Sequence, residues 1–454
     1  MARAPKIAMS ADLLLENCRI PFGNTLIDGC IGIRSGRILY VGKETSAPSA
    51  SEKINIKGYI ILPGLCDVHT HLRDLHQSYK EDFYTGTCSA LAGGFTTVLD
   101  MPIPEKPSES LRQLEDKIDS ASPKIVTNVG FHSGYPTTPD ALREVRKLGA
   151  FGLKIYMNRR ENLDGGNDLA LENALARAKE IDLPVAVHAE DLPAIERLED
   201  VAKDSGCSSW KGFLMAHTPR TESTAVAKIL SMVVKIGTRT HFCHLSTKQS
   251  VIHVRSAKTS GLPVSCEATP HHLFLTSKAM EVHGGKALMV PPLRSIEDCR
   301  AIWDGLVDGS IDLVASDHAP HTVDEKDASN IWNVPPGIPG LETTLPLLLT
   351  ALNQGRLTLS RIQEVLANEP SRCFSLSSKG FIRAGLDADL VVIDIKRRFV
   401  VDPDRFHTRA KYSPFAGWKL IGKAVKTFVR GRLAMDEGEI LAKPGSGSVL
   451  RREV

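Results

Sequence analysis

The chain of 454 residues lacks several things, and each absence narrows its class. No stretch approaches the roughly 18 apolar residues of a membrane-crossing helix, so no such span is expected. Charge of neither sign dominates. Fifty-six Lys and Arg face fifty-three Asp and Glu, a net +3 with no basic cluster, which argues against nucleic acid as a partner. The nine cysteines are odd in number and scattered without framework spacing, as expected of reduced thiols. The first residues lack a signal-peptide apolar core and cleavage site, and a cytoplasmic location is expected. No internal repeat is present. What remains is an ordinary globular composition, 42% hydrophobic and 24% charged.

The chain is rich in short apolar, β-prone segments that end on polar residues. Ile61–Val68 runs into His69-Thr70-His71 and Phe95–Leu99 into Asp100. Ile125–Val129 precedes Gly130-Phe131-His132, and Phe151–Tyr156 carries Lys154 inside it. Leu183–Val187 ends at His188, His241–Cys243 at His244, Leu262–Glu267 near His271-His272, and Ile311–Ser316 at Asp317-His318. Amphipathic stretches of helical length lie between them, among them 140–148, 169–181, 224–236 and 296–307. Eight strands alternating with helices, with chemistry at nearly every strand end, predict an α/β fold of the (β/α)₈ TIM-barrel kind. An open doubly wound sheet would gather its chemistry at one crevice instead.

A barrel of this kind takes about 250 residues, so the chain has room for more. Residues 11–60 and the segments Asp389–Asp394 and Ala424–Arg432 are β-branched strands with Gly turns. They predict a small β-sandwich domain formed by both termini. The expected division is 1–60 and 381–440 for the sandwich, 61–380 for the barrel, and 441–454 for a mobile, turn-rich tail.

Two histidines two apart on a strand point to one spot, an arrangement suited to a borderline metal. The strand-end inventory of His69, His71, Lys154, His188, His244 and Asp317 offers four imidazoles and one carboxylate, enough for two divalent cations. Two cations a few ångströms apart need a bridging anion. An ammonium would repel them, so Lys154 serves only after reaction with CO₂ to a carbamate. The competing reading makes Lys154 a strand-end salt bridge and each histidine a hydrogen-bonded core residue.

The strings that surround these residues are distinctive. They include Pro63-Gly64-Leu65-Cys66-Asp67-Val68-His69-Thr70-His71-Leu72-Arg73-Asp74, Lys80-Glu81-Asp82-Phe83, and Gly152-Leu153-Lys154-Ile155-Tyr156. Cys243-His244-Leu245-Ser246-Thr247, Pro291-Pro292-Leu293-Arg294, Ser316-Asp317-His318-Ala319-Pro320-His321 and Gly340-Leu341-Glu342-Thr343 follow. Through them the chain resembles the amidohydrolase superfamily, and within it the longer, type I dihydroorotases, over nearly its whole length. The resemblance implies zinc-dependent, reversible hydrolysis of the cyclic amide of dihydroorotate to N-carbamoyl-L-aspartate, a step of pyrimidine synthesis. It implies two Zn²⁺ per chain, one on His69, His71 and Asp317 and one on His188 and His244, bridged by carboxylated Lys154. Asp317 would shuttle the proton, and Arg73 and His321 would bind the substrate carboxylate. Arg73 has a second reading, as an ion pair with Asp74 or Glu81. Cys243, Glu267 and His321 match positions that hold a further zinc in some relatives. The expected partners are the small-molecule substrate and further copies of the chain, with no nucleic acid and no membrane.

Two strings depart from the dihydroorotase pattern. Met101-Pro102-Ile103-Pro104 stands where Met-Pro-Asn-Thr is usual, and Val290-Pro291-Pro292 where Asn-Pro-Pro is usual. Two amides are thereby lost from the expected pocket. The alternatives are another cyclic amidase, an allantoinase or a hydantoinase (dihydropyrimidinase), and a non-catalytic dihydropyrimidinase-related scaffold. Allantoinases usually read Ser-Pro-Cys where this chain has Ala319-Pro320-His321, and scaffolds typically lose metal ligands.

Overall fold

A computed structural model of the chain describes residues 10–23, 25–103, 109–136, 138–161 and 167–453. The N-terminal part supplies strands β1 (Ala11–Phe22), β2 (Thr25–Arg34), β3 (Arg37–Gly42), β4 (Ala50–Asn55) and β5 (Ile60–Pro63). The barrel follows, as β6 (Leu65–Thr70), β7 (Phe95–Asp100), β8 (Asn128–Gly134), β9 (Gly152–Tyr156), β10 (Val185–His188), β11 (Thr240–Phe242), β12 (Val264–Ala268) and β13 (Leu313–Val314). Consecutive barrel strands pair in parallel, and a bridge between Thr70 and His318 joins the last strand end to the first. This closed order is the predicted (β/α)₈ barrel.

Last come β14 (Leu390–Val400), β15 (Lys419–Val429), β16 (Arg432–Asp436), β17 (Glu439–Ile440) and β18 (Ser448–Val449). β14–β17 join the N-terminal strands in one largely antiparallel sheet, ordered β17-β16-β15-β14-β5-β1-β2-β3 with β4 beside β1. Its core mixes both ends of the chain: Leu15, Ile31 and Ile61 pack with Leu390, Val392 and Phe428.

The helices between barrel strands begin where the sequence offers a cap. Thr138, Asn167, Thr218 and Ser295 each accept a backbone N–H of the first turn of helices Pro139–Lys147, Asp168–Glu180, Pro219–Ile236 and Ile296–Asp308. The apolar stripe of each faces the barrel, as with Leu171, Ala174, Leu175 and Ala178. All nine cysteines are free.

Two segments differ from the expectation. Ile61–Pro63, assigned to the barrel with the strand that follows, pairs instead with β14 in the terminal sheet. The chain changes sheets at Gly64, whose N–H donates to Asp389 O at 2.7 Å while Leu65 N–H donates to Gly94 O. A Cβ at Gly64 would collide with Thr96, so the crossing needs glycine. The tail, expected to be mobile over 441–454, is tied down in its described part. Ser448 and Val449 pair with Asn128 and Val129 at the start of β8, and Leu450 N–H donates to Val129 O at 2.7 Å. Arg452 is 6% exposed and its guanidinium binds Asp182. Composition alone marks a Gly/Ser segment as loose, but unpaired backbone groups at the foot of β8 give this one partners.

Candidate functional site

Barrel geometry brings the predicted residues to one end. His69 lies within β6, His71 just beyond it, Lys154 within β9 and His188 at the end of β10. His244 and Asp317 follow β11 and β13. Both adopt left-handed backbone, φ 33° and 45°. Arg73, Asp74 and Leu75 are left-handed in succession, φ 60°, 48° and 48°. Such conformations cost of order 1–3 kcal/mol each in non-glycine residues and gather where a side chain must be aimed. Here they turn Arg73, His244 and Asp317 toward the barrel mouth.

The ligand-type atoms form a continuous series. Asp317 Oδ1 lies 3.3 Å from His71 Nε2 and 3.5 Å from His69 Nε2. The ring centroids of His69 and His244 are 5.2 Å apart, and His188 Nδ1 faces His244 Nε2 at 3.1 Å. Lys154 is completely buried, its Nζ 2.9 Å from Cys243 Sγ. Among the described residues no carboxylate lies within ion-pair distance of that amine. The buried Nδ1 of His244 likewise lacks a hydrogen-bond partner. A lysine salt bridge fails on these observations, and so does a hydrogen-bonded core role for His244, whereas His69, His71 and His188 have partners. The donor set fits divalent metal, with His69, His71 and Asp317 offering three atoms within 4.8 Å of one another.

Two buried glutamates orient the histidines. Glu267 binds His69 Nδ1, accepts the His244 backbone N–H at 3.1 Å and meets His241 Nε2 at 3.0 Å. His69 is thereby left with Nε2 toward Asp317, as carboxylate partners commonly arrange for metal-ligating histidines. Glu190 does the same for His188, meeting Nε2 at 2.8 Å, and is itself held by His217. Burial would raise both carboxyls, yet the facing imidazoles keep them well below the usual range. Asp317 behaves alike: burial opposes its charge, and His69 and His71 outweigh burial.

A cavity of about 310 Å³ opens over this centre. Both proposed carboxylate contacts line it, and so do Ile103 and Val290, the two departures from pattern. Gln113 clamps Ile103 through its backbone N–H and carbonyl, leaving the side chain toward the cavity; Pro104 lies outside the described residues. The ion-pair reading of Arg73 is not realised. Asp74 binds Lys124, Glu81 binds Thr85 and Thr408, and Arg73 has no carboxylate partner among the described residues. The group proposed for a third metal is also split. Cys243 and Glu267 stand with His69, whereas His321 lies between Arg73 and Lys80. Burial, then Arg73 and Lys80, hold the His321 imidazole well below its ordinary range.

The sequence reading missed Lys80, Asn158 and Arg159 as cavity-lining residues, and the bracing roles of Glu190 and Glu267. Only the string Lys80-Glu81-Asp82-Phe83 and the naming of Glu267 beside Cys243 hinted at any of them.

A model of the amidohydrolase family matches residues 60–434, which takes in every one of these groups. The chain belongs to the amidohydrolase family. This amidohydrolase is 38% identical to a dihydroorotase of Methanothermobacter thermautotrophicus over 96% of each chain. It is 36% identical to a dihydroorotase of Pyrococcus horikoshii, covering 95% of this chain and 94% of that one. Among solved structures it resembles the L-hydantoinase (dihydropyrimidinase) of Arthrobacter aurescens, with TM-score 0.92, 30% identity, and coverage of 97% and 100%. The D-hydantoinase of a Thermus species gives TM-score 0.92 and 27% identity, covering 97% and 99%. The amidohydrolase is therefore a metal-dependent enzyme for cyclic amides, acting on a small molecule. No helix among the described residues is long and apolar enough to cross a membrane.

Proposed function

We propose that this amidohydrolase is a dihydroorotase, interconverting dihydroorotate and N-carbamoyl-L-aspartate with two zinc ions. The observation that carries the choice of substrate is Arg73, a guanidinium on the cavity wall with no carboxylate of its own among the described residues. A planar guanidinium matches a carboxylate in two parallel hydrogen bonds, and dihydroorotate carries a carboxylate that hydantoin and dihydrouracil lack. Names borne by relatives along nearly the whole chain support the same reading.

His69, His71 and Asp317 would hold one metal and His188 and His244 the other, with Lys154, as a carbamate, between them. An imidazole-rich set with few carboxylates suits zinc. When bound, the metals supply Lewis acidity toward the ring carbonyl and toward the attacking water. The remaining work belongs to the chain. Arg73 anchors the ring by its carboxylate so that the amide faces the centre. Asp317, kept ionised by His69 and His71, takes the water's proton at its carboxylate as the water attacks. It then delivers that proton to the departing ring nitrogen, and the C–N bond opens to the carbamoyl group. In reverse, Asp317 removes a proton from the carbamoyl nitrogen as the ring closes, and water leaves.

The apolar Ile103 and Val290 favour a second reading, a cyclic amidase for a neutral ring such as hydantoin or dihydrouracil. Steady-state hydrolysis of dihydroorotate, allantoin, hydantoin and dihydrouracil by metal-loaded protein separates the two. Dihydroorotate should have the highest kcat/KM. A faster neutral ring would replace the dihydroorotase reading and leave the amidohydrolase assignment intact.

A further inference from the structure

One wall of the cavity holds two cations on either side of a single imidazole. Arg73 Nη2 lies 3.1 Å from His321 Nε2, and Lys80 Nζ donates to His321 Nδ1 at 3.0 Å. An ammonium and a guanidinium can only donate, so with Lys80 donating to Nδ1 the ring proton sits on Nε2 and goes to Pro336 O at 3.0 Å, and the Arg73 contact at Nε2 is a close approach rather than a hydrogen bond. Both nitrogens of His321 are thus engaged within the protein. The ring has no donor to spare for an incoming anion, contrary to the role the family resemblance gives it.

The donors that remain are cationic. Lys80 has three N–H groups; His321 takes one and Glu325 takes another, Nζ to Oε1 at 2.9 Å. The third has no hydrogen-bond acceptor among the described residues, though the Tyr79 ring lies 5.5 Å from the ammonium, and Lys80 lines the cavity with only 11% of its side chain exposed. Among the described residues Glu325 is the one carboxylate paired with Lys80. Its other oxygen accepts the Thr322 backbone N–H, closing the capping box of the short helix Val323–Lys326. Among the described residues Lys80 thus has one carboxylate partner and Arg73 none. Ile103 and Val290, also in the wall, bring no side-chain donor.

We infer that Lys80 is a second cationic contact for the substrate carboxylate, replacing the amide missing at position 103 and selecting carboxylated over neutral rings. The inference rests on the dihydroorotase reading. A charged contact substitutes for a neutral donor at this wall, and recognition shifts from an amide to a pair of cations. Lys80 and His321 exchange the expected roles: the lysine touches substrate, and the histidine positions the lysine.

The test compares metal-loaded wild type with Lys80→Met, Lys80→Arg and Glu325→Gln, using dihydroorotate as substrate and dihydrouracil as substrate or competitor. Loss of a charge-assisted hydrogen bond should raise KM for dihydroorotate in Lys80→Met by about tenfold or more, with a smaller change in kcat. The preference for dihydroorotate over dihydrouracil should fall with it, and Lys80→Arg should recover most of that preference. Glu325→Gln keeps a helix-capping side chain but frees the ammonium, so KM for dihydroorotate should fall. An unchanged preference in Lys80→Met would overturn the inference. So would equal losses on both rings, matched by losses in Glu325→Gln, because a purely structural wall predicts that pattern. Should Lys80→Met fail to fold, the directions of Lys80→Arg and Glu325→Gln decide. Wild type that turns over no dihydroorotate would overturn the dihydroorotase reading and this inference with it. Active wild type with an unaltered preference in the variants would overturn this inference alone.

Discussion

Lys154 Nζ and Cys243 Sγ lie 2.9 Å apart in a buried site where the amine meets no carboxylate among the described residues. A buried ammonium without an anion is costly to hold, and conversion to a carbamate removes that cost while creating a bridging ligand. Lys154→Ala should therefore lose most activity and bind fewer than the two metals expected of the wild type, as read by elemental analysis. Short carboxylic acids, which supply a replacement anion, should restore part of the activity. Full metal content and near-native activity in the variant would refute the bridging role.

Glu267 offers a second test, because it contacts His69, His241 and the His244 backbone at once. Glu267→Gln keeps the shape but removes the charge that sets the His69 ring. Loss of such an orienting partner typically weakens metal binding by about 10–100-fold. Competition with a chelator should show a shift of that size with the fold unchanged by circular dichroism. An unaltered affinity would make Glu267 a packing residue.

Asp317→Asn removes basicity while keeping size. Turnover should fall by about 10²–10⁴, the range for general acid–base groups. Because hydrolysis releases a proton and cyclisation consumes one, wild-type hydrolysis should gain with rising pH and cyclisation with falling pH. A variant within a few-fold of wild type would place the proton transfer elsewhere.

The strand-end residues were legible because a barrel imposes local order: an apolar segment, a polar end, a helix, repeated. His69 and His71 carry that signature on one strand and its edge, and Lys154, His188, His244 and Asp317 each on another. What stayed hidden depends on distant pairings. Ile61–Pro63 looks continuous with the strand that follows, and only pairing to β14 draws it into the other sheet. Ser448 and Val449 find partners some three hundred residues back in the chain, at Asn128 and Val129. The nearest carboxylates in sequence to Arg73 suggested an ion pair. The left-handed turn at 73–75 separates them from it, and Lys124, Thr85 and Thr408 take those carboxylates instead.

Lys326 gives a prediction about stability. The residue is 1% exposed, and its amine donates to Leu288 O and Pro335 O. Burial, reinforced by Arg73, brings its pKa from an ordinary 10.5 down to about 7. Between those values the unfolded chain holds a proton that the native state does not. Stability from this group therefore rises with pH across the window, by at most about 1.4 kcal/mol per pH unit, and is lost as pH falls toward 7. Urea unfolding of wild type and Lys326→Met from neutral to alkaline pH should show a steeper upward trend in the wild type. Parallel trends would mean that Lys326 stays protonated when folded.

The most direct test of the central claim is the biosynthetic direction: conversion of N-carbamoyl-L-aspartate to dihydroorotate by zinc-loaded protein at mildly acid pH. Arg73 is the main anchor for the carboxylate, and a hydrogen bond to a charged group is worth about 1.5–3 kcal/mol. Wild type should cyclise the compound readily, and Arg73→Met should bind it about 10–150-fold more weakly. Zinc-loaded wild type that opens hydantoin or dihydrouracil but forms no dihydroorotate would contradict the account.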